Sequence, residues 1–514
     1  MPVKTLIKPS EYHDSVSLML AARELARLPG VTDAAVVMAT EANKGLLKEA
    51  GLLTPEANSA SSNDLVIAVS GSEAALDRAL REVDKLLQSK STEADSAEFR
   101  PKTVSGAVKG FPAANVAVIS VAGRYAADEA WEALHKGLHV LLFSDNVSLA
   151  DEIALKRYAS EHGLLLMGPG AGTAILNGVA LGFANVIPPG PVGIVSAAGT
   201  GLQEVSTLLA KSGVGITQGI GTGGRDLKEE VGGIMMLEGV KALQDDPATQ
   251  VILLVSKPPA ASVAHRVLDQ VAESRKPTVV CFLGGDGEVA SRATKFYPAR
   301  TLEEAAWKAA CLAKSEAVQQ PAQEDFTARA GELRLGLRAD QCYLRGLFSG
   351  GTLCYEAQVI WREMLDEPVY SNAPLDAAWQ LPDSTQSLRH SAIDLGEEEF
   401  TVGRLHPMID NDLRIRRLLQ EARDPEVAVV LLDVVIGYGA HPDPAAELGP
   451  AISKARLLAS QHGDQLIVVA SVTGTEQDPQ RLSRQVGALE GAGAIVCASN
   501  AAAARLVAQI VRAA

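Results

Sequence analysis

GIVSAAGT at 193–200 and GLFSGGTL at 346–353 decide the fold, because they spell one local structure twice. Each runs from an apolar β-type stretch into Ser, then small residues with Gly, then a helical stretch carrying a Glu, Glu204 or Glu356. A buried strand that ends in a Ser/Gly turn and feeds a helix is the unit of a parallel α/β sheet. The match continues downstream. DDPATQVILLVSK (245–257) parallels RDPEVAVVLLDVV (423–435), each an Asp-Pro turn opening onto a continuous apolar strand. Between them stand GIGTGGRDL (219–227) and IDLGEEEF (393–400), each where a strand should end. Similarity at this spacing reads as an internal repeat of two α/β units.

Working outward, AVISV (117–121), HVLLF (139–143) and LLLMG (164–168) alternate with helical stretches. That is a βαβαβ unit with a parallel sheet. The breaker PPGP at 188–191 marks its end. Residues 3–87 read as a small α+β unit, and QSKSTEADSAEFRPK (88–102) as a linker. A polar helical segment at 316–333 separates the two repeats. The expected organisation is therefore multidomain α/β: a small α+β domain at 1–100, a Rossmann-like domain at 101–189, and flavodoxin-like units at 190–330 and 331–514.

Composition narrows the function classes. A net charge of −15 repels phosphate backbones and anionic lipid, so neither nucleic acid nor membrane is an expected partner. The five cysteines, at 281, 311, 342, 354 and 497, form no CxxC pair. That is the usage of a reduced compartment, with no metal site expected, and Cys281 and Cys354 read as buried small apolar residues. No apolar run is long enough to span a bilayer, and the cytoplasm is the expected location.

The candidate chemistry lies in the turns. Ser196, Gly199 and Thr200, with their twins Ser349, Gly350, Gly351 and Thr352, place helix N-termini at strand ends. Free amides and the helix dipole there favour an anion, and two such ends facing one another would hold one phosphoryl group. Ordinary capping by Ser or Thr would use the same residues. In GTGGRD (221–226), Gly223 and Gly224 permit close backbone approach, and Arg225 would either fork onto a carboxylate or phosphate or pair only with Asp226 or a neighbouring domain. HPMIDNDLR (406–414) offers His406 as acid/base, with Asp410 and Arg414 at helical i,i+4 spacing; an interface loop locked by Pro407 with a buried His is the alternative reading. His441 reads as a turn residue near the same cleft. Gly168 and Gly170 of GPGAGT, and Lys257 of SKPP, are further anion-binding candidates.

Together, GPVGIVSAAGTGLQE (190–204), GIGTGGRD (219–226), DDPATQVILLV (245–255) and RGLFSGGTL (345–353) resemble the ligase domains of both subunits of succinyl-CoA synthetase. GLLLMGPGAGTAILN (163–177) resembles the end of its CoA-binding domain, which makes 101–189 CoA-binding-type by resemblance. VMATEANKGLLKEAGLLTPE (37–56), LLFSDNVS (141–148), IGTGGRDL (220–227) and RLHPMIDNDLRIRRL (404–418) resemble the FdrA family within that superfamily. The resemblance implies acyl-phosphate chemistry. Its most specific form is a subunit of a carbamoyltransferase complex that uses carbamoyl phosphate with oxamate or a related amide in ureide breakdown. It implies separate partner subunits and a homo-oligomer, with CoA or carbamoyl phosphate as substrate and no fixed cofactor. Two other readings stay open: an ADP-forming acyl-CoA ligase completed by a partner subunit, and a non-catalytic scaffolding or regulatory subunit. The chain departs from succinyl-CoA synthetase in two places. GGDGEVASRATKFYP (284–298) holds no histidine where that family has its phosphohistidine, and AGRYAA (122–127) replaces a glycine-rich phosphate loop.

Overall fold

A computed structural model describes residues 2–9, 11, 15–62, 64–88, 101–284, 296–318, 325–401 and 404–512. The expected linker lies outside these from 89 to 100, as do 285–295 of GGDGEVASRATKFYP and 319–324 of the polar segment between the repeats. The chain divides into two compact units: Met1–Pro112 with Glu398–Leu405, and Ala113–Glu397 with His406–Ala514.

The first unit is built on three antiparallel strands, with Leu65–Gly71 between Val3–Lys8 and Val31–Met38. Alternate residues of a strand face opposite sides. Leu65, Ile67 and Val69 accordingly join Leu18, Leu25 and Leu76 in one apolar cluster, while Val66 and Ala68 join Leu47, Leu52 and Ala57 in another. Both faces of this small sheet are thus covered. That Glu398–Leu405 groups with it, although both neighbouring segments belong to the second unit, is written in no local pattern.

The second unit holds three sheets. Val116–Ile119, His139–Leu142 and Leu166–Met167 pair in parallel, in chain order. The next sheet has Ile216–Gly221, Pro189–Ser196, Val251–Ser256, Thr278–Phe282 and Tyr297–Pro298 side by side and parallel. The third has Tyr370–Ser371, Ser391–Asp394, Tyr343–Phe348, Val427–Val435, Ile467–Thr473 and Ile495–Cys497 side by side and parallel. With the two-residue edge strand Tyr370–Ser371 set aside, both repeats read 2-1-3-4-5 in chain order, the flavodoxin order, whose crevice lies beside strand 1 where the winding reverses. The first repeat also gains an antiparallel hairpin, Thr173–Leu176 with Val179–Gly182, on the Ile216–Gly221 edge. That hairpin precedes the boundary expected at 189/190 yet extends the sheet that follows it.

The two repeats share one core. Leu202, Val205 and Leu209 of the helix Gly199–Lys211 cluster with Leu353, Ala357 and Trp361 of the helix Gly351–Met364, together with residues from both sheets. Trp361 also donates from Nε1 to the carbonyl of Ala504 at 2.9 Å, tying the C-terminal helix Asn500–Arg512 into the layer. Among the described residues no helix is long and apolar enough to cross a membrane, and no cluster of His, Cys, Asp and Glu could hold a metal ion.

Candidate functional site

Both strand-1 turns end in helices that no side chain caps. The N-cap of Gly199–Lys211 is Ala198, and that of Gly351–Met364 is Gly350, each in extended backbone with no capping hydrogen bond. The first intrahelical bonds run from Leu202 N to Ala198 O and from Cys354 N to Gly350 O, both at 2.9 Å. The amides of 199–201 and 351–353 therefore have no acceptor within their own helices. Ser196 and Ser349 do not cap. Ser196 Oγ accepts from Ala198 N at 3.1 Å and donates to Ala198 O at 2.8 Å. Ser349 Oγ donates to Asp433 Oδ2 at 3.0 Å.

The two turns stand against one another. A methyl group placed on Gly350 would lie 2.9–3.0 Å from the side chain of Thr200, and one on Gly201 would lie 3.0 Å from Thr352. Only glycine at these positions lets the first turns touch. Glu204 and Glu356 are each the sixth residue of their helix, so the repeat aligns Ala198 with Gly350. The turn after Ser196 is one residue longer than the turn after Ser349.

Around the meeting point lie Lys257, Asp394 and His406. Lys257 follows the strand Val251–Ser256, with Nζ 3.6 Å from a Cβ position on Gly351 and 5.6 Å from the ring centre of Tyr355. Asp394 ends its strand and is 2% exposed. Burial raises its carboxyl to about 7, against the pull of Lys257. His406 packs beside Phe183, ring centres 5.9 Å apart, and its Nε2 lies 2.9 Å from a Cβ position on Gly396. Its Nδ1 accepts from Met408 N at 3.2 Å, which leaves the proton on Nε2 in the neutral ring. Burial and the charge of Arg414 lower its pKa to about 4. The role expected for His406, a proton shuttle near neutrality, is thereby corrected: it is a neutral N–H donor, and Asp394 is the group poised near pH 7.

Three other expectations are revised by packing. Asp410 and Arg414 are not partners on one helix, because the helix begins at Asp412. Asp410 accepts from Asp412 N at 2.8 Å, while the buried Arg414 meets both the carbonyl and the carboxylate of Asp433. Arg225 does not face the corner. Its Nε pairs with Glu152 Oε2 at 2.8 Å and its Nη2 donates to Val147 O at 2.9 Å. Behind it, buried Lys156 bridges Glu152 and Asp226, both at 2.9 Å. GTGGRD is thus a latch onto the preceding domain, although Gly224 remains near Ala197 of the first turn, and Gly223 packs on the carbonyl of Pro169. GPGAGT is no anion nest, since Gly170 N already donates to Ser144 O at 3.1 Å and the Asp145 carboxylate faces Gly170. Gly168, at φ +117°, lets the chain pass against the carbonyl of Leu142. His441 is buried, and its backbone N–H donates to Met408 O at 2.8 Å, so it braces the His406 segment.

Sequence reading missed Asp394, Asp433 and Phe183. The signal for Asp433 was present: a lone carboxylate inside the apolar run VAVVLLDVV must bond to something in the interior.

Known proteins match this architecture. A CoA-ligase family model matches residues 347–510, a CoA binding domain model residues 189–284, and a model described as AllF, heavy metal-associated domain, residues 1–102. The Escherichia coli (strain K12) protein described as Uncharacterized protein YahF is 46% identical over 509 residues, 97% of each chain. The chain belongs to the FdrA family of acyl-CoA-synthetase-like proteins. This FdrA-family chain is also 26% identical over 174 residues to the ADP-forming succinate–CoA ligase subunit alpha of Methanothermobacter thermautotrophicus, covering 33% of this chain and 57% of that one. The ADP-forming sulfoacetate-CoA ligase subunit SauD of Bilophila wadsworthia is 26% identical over 196 residues, 36% of this chain and 63% of its own. The FdrA-family chain spans less than two thirds of either ligase subunit. The CoA binding match falls on the first repeat, one domain beyond the 101–189 segment read as CoA-binding-type. Residues 1–102 contain no cysteine.

Proposed function

We propose that the cleft between the two uncapped helix ends binds the phosphoryl group of an acyl phosphate, and that the chain acts in group transfer from it. The observation that carries this reading is the approach of Thr200 to Gly350, which brings the uncapped first turns of the two helices together near Lys257. Six amides, two helix dipoles and an ammonium would stabilise a departing phosphate, because charge develops on its oxygens as the acyl–oxygen bond breaks. Within the FdrA family our specific reading is carbamoyl phosphate as donor and oxamate or a related amide as acceptor, with separate partner subunits and a homo-oligomeric chain. Arg225, held by Glu152, is not the group that orients the acceptor.

The test uses the chain together with the products of its neighbouring genes. Phosphate release from carbamoyl phosphate and carbamoyl transfer to oxamate are both expected. Lys257→Ala should lower the transfer rate by about tenfold to a hundredfold through loss of one charged contact to phosphate. Absence of both activities would remove the reading.

A second reading, an ADP-forming acyl-CoA ligase completed by a partner, draws on the matches to succinate–CoA ligase and SauD. Labelling with ATP and trapping an acid-labile phosphoenzyme would favour it. Residues 284–298 supply no histidine for that step.

A further inference from the structure

The second corner holds two carboxylates in different states of commitment. Asp433 is fully used: Ser349 N, Ser349 Oγ, Gly350 N and Arg414 occupy both of its oxygens at 2.7–3.2 Å. Asp394 is not. Its backbone is clamped to Asn372 by two hydrogen bonds of 2.9 Å, which fix the main chain from which the carboxylate projects. Oδ1 accepts from Gly396 N at 3.0 Å. Oδ2 is aimed at the first residue of the second-corner helix, 2.5 Å from a Cβ position on Gly351, and among the described residues no donor reaches it.

The surroundings of that oxygen are those of a reacting group. Lys257 Nζ lies 3.6 Å from the same point on Gly351. His406 Nε2 and Asp394 Oδ1 lie 2.9 and 3.2 Å from one position on Gly396. A phosphoryl group held by the helix ends and Lys257 would have the free oxygen of Asp394 at its side. An anionic nucleophile would have to approach both Asp394 and Asp433. A neutral N–H meets an acceptor there instead.

We propose that Asp394 is the acid–base residue of this cleft, taking the proton of an amide N–H nucleophile and returning it to the departing phosphate. This rests on the acyl-phosphate reading and gives its amide acceptor a base. The amide nitrogen's electron pair forms the new C–N bond to the acyl carbon. The C–O bond to phosphate breaks, and its electron pair leaves on the phosphate oxygen. The proton passes from nitrogen to Asp394 Oδ2 and then to the phosphate, so charge and atoms balance. Burial, Glu397 and Asp433 raise the carboxyl, while Lys257 and the Gly396 N–H oppose them, leaving it near pH 7, where both protonation states are accessible.

Two measurements on Asp394→Asn test this. In the full complex, transfer should fall by about a hundredfold or more, and the acid limb of kcat/KM near pH 7 should vanish. Asp394→Glu should recover part of the rate. On the chain alone, sulfate serves as a probe because it stays a dianion throughout. Its affinity for the natural chain should weaken between about pH 6 and pH 8 as Asp394 ionises, and should be flat and tighter at pH 8 in Asp394→Asn. Transfer within about threefold of normal in Asp394→Asn, with sulfate still bound, overturns the inference and leaves the acyl-phosphate reading standing. A natural chain that binds no sulfate removes both.

Discussion

The two repeats build the same corner from opposite materials. In the first, the turn after Ser196 is held by backbone and hydroxyl groups: Ala197 N donates to Val255 O at 3.0 Å, and Ser196 Oγ closes the rest. The charges of its neighbouring loop, Arg225 and Asp226, are tied into the latch with Glu152 and Lys156 of the preceding domain, while Lys257 stands just past the end of the strand Val251–Ser256. In the second, the position equivalent to Val255 is Asp433, and a buried carboxylate with its arginine holds the turn. One corner is neutrally wired and the other is charged, so a symmetric scaffold yields a polar site. The difference shows how a duplicated fold becomes chemically one-sided without changing its backbone plan.

The largest expected effect breaks the charged corner. Asp433→Ala strands two turn amides and leaves Arg414 buried without its carboxylate. Urea unfolding should register a loss of about 3–5 kcal/mol for the larger unit. The matching change in the neutral corner, Ser196→Ala, should cost only about 1 kcal/mol. Equal losses would mean that the two corners do not differ as described.

The next effect concerns their approach. Gly350→Ala forces a methyl against Thr200 and should cost about 1–3 kcal/mol as overpacking, with loss of sulfate binding. Gly199→Ala meets nothing nearer than Thr173 Oγ1 at 3.5 Å and should change stability by less than about 0.5 kcal/mol. Adding Thr200→Ala to Gly350→Ala should recover part of the loss, with a coupling of about 0.5–3 kcal/mol in the double-mutant cycle.

Sequence carried the scaffold well, because strand runs such as VILLVS and VAVVLLDVV and the paired Ser/Gly turns are local patterns set by burial. It carried the corners' residues, Ser196 to Thr200 and Ser349 to Thr352, for the same reason. It left partners open. Arg225 read either as a fork for an anion or as paired with Asp226 or a neighbouring domain, because Glu152 lies 73 positions earlier and reaches it only through the packing of the helix Leu149–Glu161. His406 read equally as an acid/base and as a buried side chain, because the burial that lowers its pKa is a property of the assembled core. Asp394 sat in IDLGEEEF beside three glutamates, Glu397 to Glu399, so nothing local set it apart from a solvated cluster.

The smallest effect sharpens the comparison through pH. The carboxyls and imidazoles moved furthest, Glu356 to about 8, Asp394 to about 7, and His390 and His406 to about 4, all belong to the charged repeat. Glu356 accepts from Leu302 N at 2.6 Å and Asn500 Nδ2 at 2.8 Å, yet full burial and the nearby Glu204 still favour its neutral form. A carboxyl raised in the folded state binds more protons there than in the unfolded chain between its ordinary pKa and about 8. Its contribution is therefore complete in mild acid and is lost as pH rises through about 8. The two histidines work the other way, adding stability above their ordinary pKa that is lost as pH falls through about 4. Stability should peak between these limbs. Glu356→Gln, which fixes a neutral side chain at that site, should flatten the decline above the peak while leaving the acid limb in place. A Glu356→Gln profile that still falls as steeply toward pH 8 would show that the charged corner is not where this chain senses alkaline pH.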